Sequence, residues 1–297
     1  MNWNLNLTLR EQDEIIIVDD GSTDETSSLL RLKTFPCEIK IIRISRTGLV
    51  GALNQGLAKC SNDFVARYDV DDRYQSERVE ATLQAFKPGV CLAFSDYRFT
   101  DVFNVRNLGL VPSPIFPIAT KLSLVRSQRT AHPSAIYCKE SVFRAGGYRE
   151  EDFPSEDVSL WLRMSNFGQI VSIGQVLLNY TLRKGSITSS KNSHSRNKLE
   201  FVLNKYMKPD ELKNEILFAN QDTLDLYDSY SQANERKILY LYDLFHPKIW
   251  QLFSRNERKA FTLSVFRSID KLASLKGITE MAVSKARRDI YRKLITN

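Results

Sequence analysis

Strand-like runs alternate with helical stretches along residues 14–180, and this alternation restricts the fold more than any other feature of the sequence. Short runs of β-branched and aromatic residues separated by amphipathic helices predict a mainly parallel sheet with helices on its faces. The predicted strands are Glu14–Val18, Ile39–Ile44, Asp63–Tyr68, Val90–Ser95, Ser134–Cys138 and a strand pair within Ile170–Tyr180. The predicted helices include Gly48–Lys59, Glu77–Phe86, Lys139–Ala145 and Glu156–Asn166.

The strand pattern ends before residue 190. Residues 185–198 are polar and rich in serine, which is typical of a hinge. After Leu199 the apolar positions recur at helical spacing. We therefore expect an α/β domain over residues 1–190 and a helical C-terminal region over residues 191–297.

The net charge of +7 lies at the C-terminal end of the chain. Residues 250–297 contain 11 Lys and Arg against 4 Asp and Glu, and the rest of the chain is balanced. Two interpretations fit this tail: a solvated basic face of a helical bundle, or contact with an anionic membrane surface. Nucleic-acid binding is not expected, because no nucleic-acid motif is present and the neutral body has no basic groove.

The sequence carries neither a recognisable secretion signal nor a membrane span. Residues 1–10 have no basic start followed by an apolar stretch, and no apolar run approaches the roughly 20 residues that cross a bilayer. We expect a cytoplasmic protein, peripheral on the inner face of the membrane if the tail binds lipid.

Two acidic clusters follow predicted strands, at Asp19-Asp20 and at Asp69-x-Asp71-Asp72. In an open α/β sheet, ligands bind in the crevice beyond such strand ends. Crowded carboxylates repel each other unless a cation neutralises them, and oxygen-only ligands suit Mg²⁺ or Mn²⁺. This pattern indicates metal-assisted chemistry on a phosphorylated substrate. Taken alone, Asp19-Asp20 also fits a plain turn with a helix cap, and Asp69–Asp72 also fits a solvated turn.

Five segments in a fixed order resemble the family 2 glycosyltransferases of GT-A fold. They are IIIVDDGSTDET, GLVGALNQGLAKC, FVARYDVDDRY, HPSAIYCKESVFRAGGYRE and SEDVSLWLRM. The resemblance covers about residues 12–190 and implies a Rossmann-like sheet. It also implies an inverting transferase that moves a sugar from a nucleotide-diphosphate sugar donor to a saccharide or lipid-linked acceptor hydroxyl, in cell-surface polysaccharide or lipopolysaccharide biosynthesis.

The resemblance assigns roles to the acidic residues. Asp20, beside Asp19 in the donor site, would accept a hydrogen bond from the nucleotide base. Asp69 and Asp71 match the family's D-x-D, with Asp71 the direct metal ligand and Asp69 shared between metal and donor. Asp157 would be the general base that takes the acceptor proton, whereas the alternative is a carboxylate favoured by a helix N-terminus.

On the acceptor side, the resemblance points to Glu156, His132 and Trp161. A packing role is an equal alternative for His132, and a Trp on an amphipathic helix is usually a core residue. Arg67 is expected to hold the acidic crevice together rather than to touch substrate.

The sequence departs from the family pattern at two places. Arg183 stands where many relatives have His; its fixed cation can grip diphosphate oxygens but cannot ligate a metal. Only 14 residues precede Ile15, and they lack the usual first strand with its Pro-x-Tyr-Asn turn. Either the true start lies upstream, or the chain is a truncated, inactive remnant that binds a partner. A nucleotidyltransferase is a further alternative, which would need a Gly-rich phosphate loop.

Overall fold

Eight strands and six α-helices have both of their ends within the described residues. The computed structural model describes residues 9–31, 36–103, 106–113, 120–121, 123–124, 130–183, 193–208, 210, 212, 214 and 253–254. The strands are β1 (Glu14–Asp20), β2 (Glu38–Ile44), β3 (Phe64–Ala66), β4 (Arg73–Tyr74), β5 (Val90–Thr100), β6 (Asn107–Val111), β7 (Ala135–Cys138) and β8 (Gln169–Thr181). The helices are α1 (Thr26–Arg31), α2 (Gly48–Lys59), α3 (Arg78–Leu83), α4 (Lys139–Arg144), α5 (Glu156–Met164) and α6 (Ser193–Tyr206).

The strands form two sheets. β1 and β2 make a parallel pair, and the other six strands form a sheet in the order β3-β7-β5-β8-β4, with β6 added to β5. In the larger sheet only β5 and β8 run parallel, and the other pairs are antiparallel. The α/β architecture that we expected is confirmed, but the sheet is mixed rather than mainly parallel.

The sheet is mixed because β7 pairs antiparallel with both β3 and β5, and because the short strands β4 and β6 also pair antiparallel with their neighbours. β4 is only two residues long, and β6 lies within residues 100–131, which contain several prolines and show no strand pattern in the sequence. β8 is one long strand, not a strand pair, because Gly174 adopts a positive φ of 69° inside it. The strand continues through this irregularity while its register against β5 shifts.

The core lies between the larger sheet and the helix α5. Leu92 and Phe94 of β5, Ile136 of β7, and Leu160 and Trp161 of α5 are all fully buried. The Trp161 ring packs edge-on against Phe94, with ring centroids 5.7 Å apart. This packing fixes the position of the first turn of α5, which carries Glu156 and Asp157.

The chain divides into two compact units. The first contains Met1–Pro112 and Thr130–Tyr206, and the second contains Ser113–Arg129 and Met207–Asn297. Within the first unit, the hydroxyl of Tyr206 in α6 donates to Asp152 Oδ2 at 2.8 Å. The domain boundary near residue 190 falls between residues 183 and 193, outside the described residues, and stays a prediction.

Several expectations concern residues that the structure does not describe. They are the first part of the serine-rich hinge, the helical pattern beyond residue 214, and the basic tail apart from residues 253–254. Within the described ranges, no helix has the length and apolar character that a membrane crossing requires.

Candidate active site

The first acidic turn closes β1. Asp19 is buried, and its carboxylate accepts hydrogen bonds from the backbone of Ser22 at 2.9 Å and from Ser27 Oγ at 2.5 Å. These hydrogen bonds lower the pKa of Asp19 to about 2. Asp19 is thus an ionised residue that shapes the turn, and its assignment to the donor site stays a prediction.

Asp20 holds the N-terminus of α2. Its Oδ1 accepts from the backbone N–H of Thr47 at 2.7 Å, and its Oδ2 accepts from the backbone N–H of Gly48 at 2.9 Å. These donors have no partner within the helix, so a carboxylate here stabilises the first turn through both hydrogen bonds and the helix dipole. The expected contact of Asp20 with a nucleotide base would add to this capping role.

The D-x-D turn follows β3, and Arg67 and Tyr74 hold it in place through contacts with Asp69. The guanidinium of Arg67 forms an ion pair with Asp69, and the backbone N–H of Asp69 donates to the hydroxyl of Tyr74 at 2.7 Å. The pairing of Arg67 with Asp69 agrees with its expected role of holding the acidic crevice together.

A second buried cation supports the same turn, and the sequence analysis missed it. Arg78 has no exposed surface. Its Nη2 donates to the backbone oxygens of Arg67 at 2.9 Å and Ala135 at 3.1 Å. The guanidinium also lies over the rings of Tyr68 and Tyr74, 4.4 and 4.8 Å from their centroids. A positive charge stacked on two tyrosines steadies the loop that carries the acidic residues.

The remaining carboxylates of the D-x-D turn face the end of β8. Arg183 Nε lies 2.7 Å from Asp71 Oδ2 in an ion pair. The buried Asp72 accepts from the backbone N–H of Thr181 at 2.8 Å, and burial raises the pKa of Asp72 to about 8. This hydrogen bond and this ion pair therefore join the turn to the end of β8.

Glu156 and Asp157 begin α5. Glu156 is buried and Asp157 is half-buried. Burial raises the pKa of both carboxyl groups, and the charge of Asp69 acts in the same direction on each. This shared influence of Asp69 brings the D-x-D turn and the E-D pair into one acidic site.

The two carboxyl groups differ in what stabilises their anions. The backbone N–H of Val158 donates to Asp157 Oδ1 at 2.7 Å, whereas Glu156 Oε2 is buried with no hydrogen-bond partner among the described residues. Asp157 is therefore the member that ionises first, and its charge helps to keep the proton on Glu156. A carboxylate with a raised pKa is a better proton acceptor near neutral pH than an ordinary one.

His132, Tyr148 and Trp161 form an aromatic group next to the E-D pair. His132 Nε2 and the Tyr148 hydroxyl are 2.8 Å apart, and the His132 ring meets the Trp161 ring edge-on at 5.6 Å. Burial, with the nearby Arg67 charge, puts the pKa of His132 well below its ordinary value, so the imidazole is neutral. Trp161 is fully buried and supports the site from the core, and its direct contact with an acceptor stays a prediction.

Asn54 links the first acidic turn to this aromatic group. Its side-chain Nδ2 donates to the backbone oxygen of Tyr148 at 2.9 Å, and its Oδ1 accepts from the Tyr148 N–H at 3.0 Å. The sequence analysis missed Asn54, although the signal was present: an amide stands one turn from Val50 on the face of α2 that buries Val50 and Leu57.

The carboxylate oxygens of the D-x-D turn are suitable ligands for a divalent cation that is bound together with a diphosphate. Asp69 and Asp71 each have one carboxylate oxygen outside the ion pair with Arg67 or Arg183. No group of three or more His, Cys, Asp or Glu side chains within the described ranges forms a cage for a metal. Mg²⁺ is usually held by one or two carboxylates with water and substrate phosphates completing its shell, and this set matches that pattern.

Comparison with known proteins agrees with this arrangement. Residues 5–145 match the model of the family described as Glycosyl transferase family 2. Over these residues the chain is similar to the family 2 glycosyltransferases. All the residues assigned to the donor side, apart from Arg183, lie within the matched region.

Two relatives with glycosyltransferase names and one solved structure add detail to this comparison. An Escherichia coli UDP-Gal:alpha-D-GlcNAc-diphosphoundecaprenol beta-1,3-galactosyltransferase is 33% identical over 177 residues, which cover 58% of this chain and 64% of that protein. The amylovoran biosynthesis glycosyltransferase AmsE of Erwinia amylovora is 29% identical over 188 residues, covering 59% of this chain and 65% of AmsE. The matches thus span slightly less than two thirds of these relatives.

The solved structure shows the fold alone, because its sequence identity is low. Residues 1–349 of S. aureus TarS, in complex with UDP-GlcNAc, align with a TM-score of 0.57 and 15% identity. The alignment covers 96% of this chain and 85% of that one. The GT-A-like fold expected from the sequence is confirmed.

Proposed function

We propose that this protein is an inverting glycosyltransferase that moves a sugar from a nucleotide-diphosphate sugar to an acceptor hydroxyl. The observation that carries the proposal is the acidic site in which the charge of Asp69, in the D-x-D turn, acts on the carboxyl groups of both Glu156 and Asp157 and raises their pKa values. One half of the site suits a diphosphate leaving group, and the other half suits a hydroxyl that must lose its proton. Sugar transfer with inversion needs both halves in one cleft.

Asp157 is the general base in this reaction. Its Oδ1 is already bonded to the backbone N–H of Val158, so Oδ2 is the oxygen that takes the proton from the acceptor hydroxyl. As that proton moves, the acceptor oxygen forms its bond to the anomeric carbon and the bond to the diphosphate breaks on the opposite face. Glu156, kept protonated by its burial, adds no second negative charge that would repel the leaving group.

The D-x-D turn and Arg183 bind the diphosphate. Asp71, with Asp69, would hold Mg²⁺ or Mn²⁺, and the bound ion would neutralise charge on the leaving diphosphate. Arg183 supplies a guanidinium with fork geometry suited to phosphate oxygens. Arg67 and Arg78 keep the turn in place from behind.

Uridine diphosphate is the nucleotide we propose for the donor. The name of the galactosyltransferase relative includes UDP-Gal, and the TarS structure is a complex with UDP-GlcNAc. That relative's name also gives a sugar diphosphoundecaprenol acceptor, which supports a lipid-linked acceptor here. On this proposal the protein acts in surface-polysaccharide biosynthesis, in the cytoplasm, with the basic tail touching an anionic membrane.

The experiment is a transfer assay that measures UDP release from UDP-sugars when a sugar-diphosphate-lipid acceptor is added. We predict that Asp71→Asn abolishes transfer while the protein stays folded, because the turn then loses its main ligand for a cation. Excess chelator should also stop the wild-type reaction, and adding Mn²⁺ or Mg²⁺ should restore it.

Asp63→Asn is the matched control, because Asp63 is an exposed aspartate just before the same strand, β3. It should transfer at the wild-type rate. Normal turnover by Asp71→Asn, or turnover unchanged in chelator, would contradict the metal assignment. Absence of UDP release by wild type with every UDP-sugar would contradict the proposed donor class.

A further inference from the structure

The ion pair between Arg183 and Asp71 is built into the sheet. β4, which follows the D-x-D turn directly, pairs antiparallel with β8, so that Arg73 lies opposite Asn179. The Asp72 carboxylate accepts from the Thr181 backbone N–H at 2.8 Å. One residue further on, the Leu182 N–H donates to the Thr100 oxygen at 2.9 Å. The backbone that carries Arg183 is therefore anchored beside Asp71 by two neighbouring strands.

This ion pair occupies the carboxylate that the proposed function assigns to a cation. Arg183 Nε lies 2.7 Å from Asp71 Oδ2. A divalent ion bound to the same carboxylate would lie close to this guanidinium, and the two positive charges would repel each other. Arg183 is 56% exposed and Asp71 is 28% exposed. Exposed pairs of this kind are weak, so the guanidinium can leave when a better anion arrives.

A diphosphate is such an anion. It offers several oxygens to a guanidinium and to a divalent ion at the same time, so that both cations gain a partner and Asp71 becomes available to the metal. Without a diphosphate, the Arg183 guanidinium and the divalent ion compete for the carboxylate of Asp71.

We propose that Arg183 is an exchangeable counter-ion: it holds Asp71 in the donor-free protein and transfers to the diphosphate when the donor binds. The inference rests on the proposed function and adds regulation to that site. Arg183 then weakens the binding of a metal on its own and strengthens the binding of the metal with the donor. Because such coupling is reciprocal, UDP and the metal each raise the affinity for the other through Arg183.

The test measures Mn²⁺ affinity of the full chain by calorimetry, first with the metal alone and then with UDP present. Arg183→Gln should bind Mn²⁺ alone about two- to tenfold more tightly than wild type, because the competing cation is gone. The same variant should bind UDP more weakly in chelator, and UDP should raise its Mn²⁺ affinity less than in wild type. Arg183→Lys keeps the charge and should bind Mn²⁺ alone nearly as weakly as wild type.

Arg73→Gln is the matched control for a general loss of positive charge, because Arg73 is exposed and follows the same turn. It should leave Mn²⁺ affinity close to that of wild type. Unchanged or weaker Mn²⁺ binding in Arg183→Gln would overturn the inference, and so would an equal increase in Arg73→Gln. Failure of UDP to bind wild type would count instead against the proposed function, since the Mn²⁺ measurement needs no nucleotide.

Discussion

At the scale of single residues, Glu156 has surroundings that disfavour its anion. It is 5% exposed, its Oε2 has no hydrogen-bond partner in the described part of the chain, and it adjoins Asp157. Burial followed by the Asp157 charge raises its pKa in the folded protein. At pH values between its unfolded pKa and its folded pKa, Glu156 is ionised in the unfolded chain but still protonated in the folded protein. The free energy of unfolding therefore falls as the pH rises through that interval.

We predict that Glu156→Gln raises the thermal unfolding midpoint by a few degrees at pH 8 and by much less at pH 5. The amide has a similar shape and no proton to release, so its advantage grows with pH. Thermal unfolding followed by circular dichroism at both pH values measures this. Glu150→Gln, at an exposed position, is the control, and an equal effect of Glu156→Gln at both pH values would contradict the explanation.

At the scale of secondary-structure elements, α2 connects the two halves of the site. Its N-terminus is held by Asp20 and its middle turn by the double hydrogen bond between Asn54 and Tyr148. A shift of this helix would therefore move both the first acidic turn and the aromatic group behind Asp157.

We predict that Asp20→Ala lowers the free energy of unfolding by about 1–2 kcal/mol, the usual scale for loss of a helix cap. Two backbone N–H groups of α2 would lose their acceptor, and the helix dipole would lose a favourable charge. Asp20→Asn should cost less, because its one amide oxygen still accepts. Urea denaturation measures all three proteins, and wild-type stability in Asp20→Ala would mean that the carboxylate does not support the helix.

The sequence predicted α2 residue by residue, as Gly48–Lys59, because apolar positions at helical spacing continue without interruption between two breaks. It also placed the acidic residues at strand ends, since those depend on local pattern alone. It did not predict β6 or the single strand β8, where glycines in unusual conformations interrupt the pattern and only pairing with β5 reveals the strand.

The supporting residues were missed for a different physical reason. Arg78 acts through stacking on Tyr68 and Tyr74, and Asn54 acts on a backbone 94 residues away. Such contacts depend on how elements pack, and no spacing along the chain encodes them. The Arg183–Asp71 pair is similar, because it depends on the pairing of β4 with β8.

At the scale of the whole molecule, the distribution of charge bears on the proposed contact with an anionic membrane. The net charge of +7 is concentrated in residues 250–297, most of which lie outside the described residues. Basic residues near an anionic surface add roughly 1 kcal/mol of attraction each, and salt weakens that attraction.

We predict that the full chain binds vesicles containing anionic lipid, binds neutral vesicles poorly, and releases as salt rises. Changing Lys285, Arg287 and Arg288 to Gln should weaken this binding at least tenfold. A matched variant with Lys59, Lys87 and Arg144 changed to Gln has the same net charge and should bind nearly as well as wild type. Vesicle co-sedimentation measures the binding of wild type and both variants. An equal loss of binding in the two variants would mean that the net charge of the protein, rather than the position of the charges in the tail, determines vesicle binding.

The most direct test of the account is the effect of Asp157→Asn on transfer and on donor binding in the same preparation. We predict that the transfer rate falls by roughly 10²–10⁴, the usual contribution of a positioned general base, while UDP-sugar affinity stays within about threefold of wild type. The wild-type rate should fall as the pH drops through the raised pKa of Asp157, because the protonated carboxyl cannot accept the hydroxyl proton. Near-normal transfer by folded Asp157→Asn would contradict the assignment of the base, and loss of UDP-sugar binding would put Asp157 in the donor site instead.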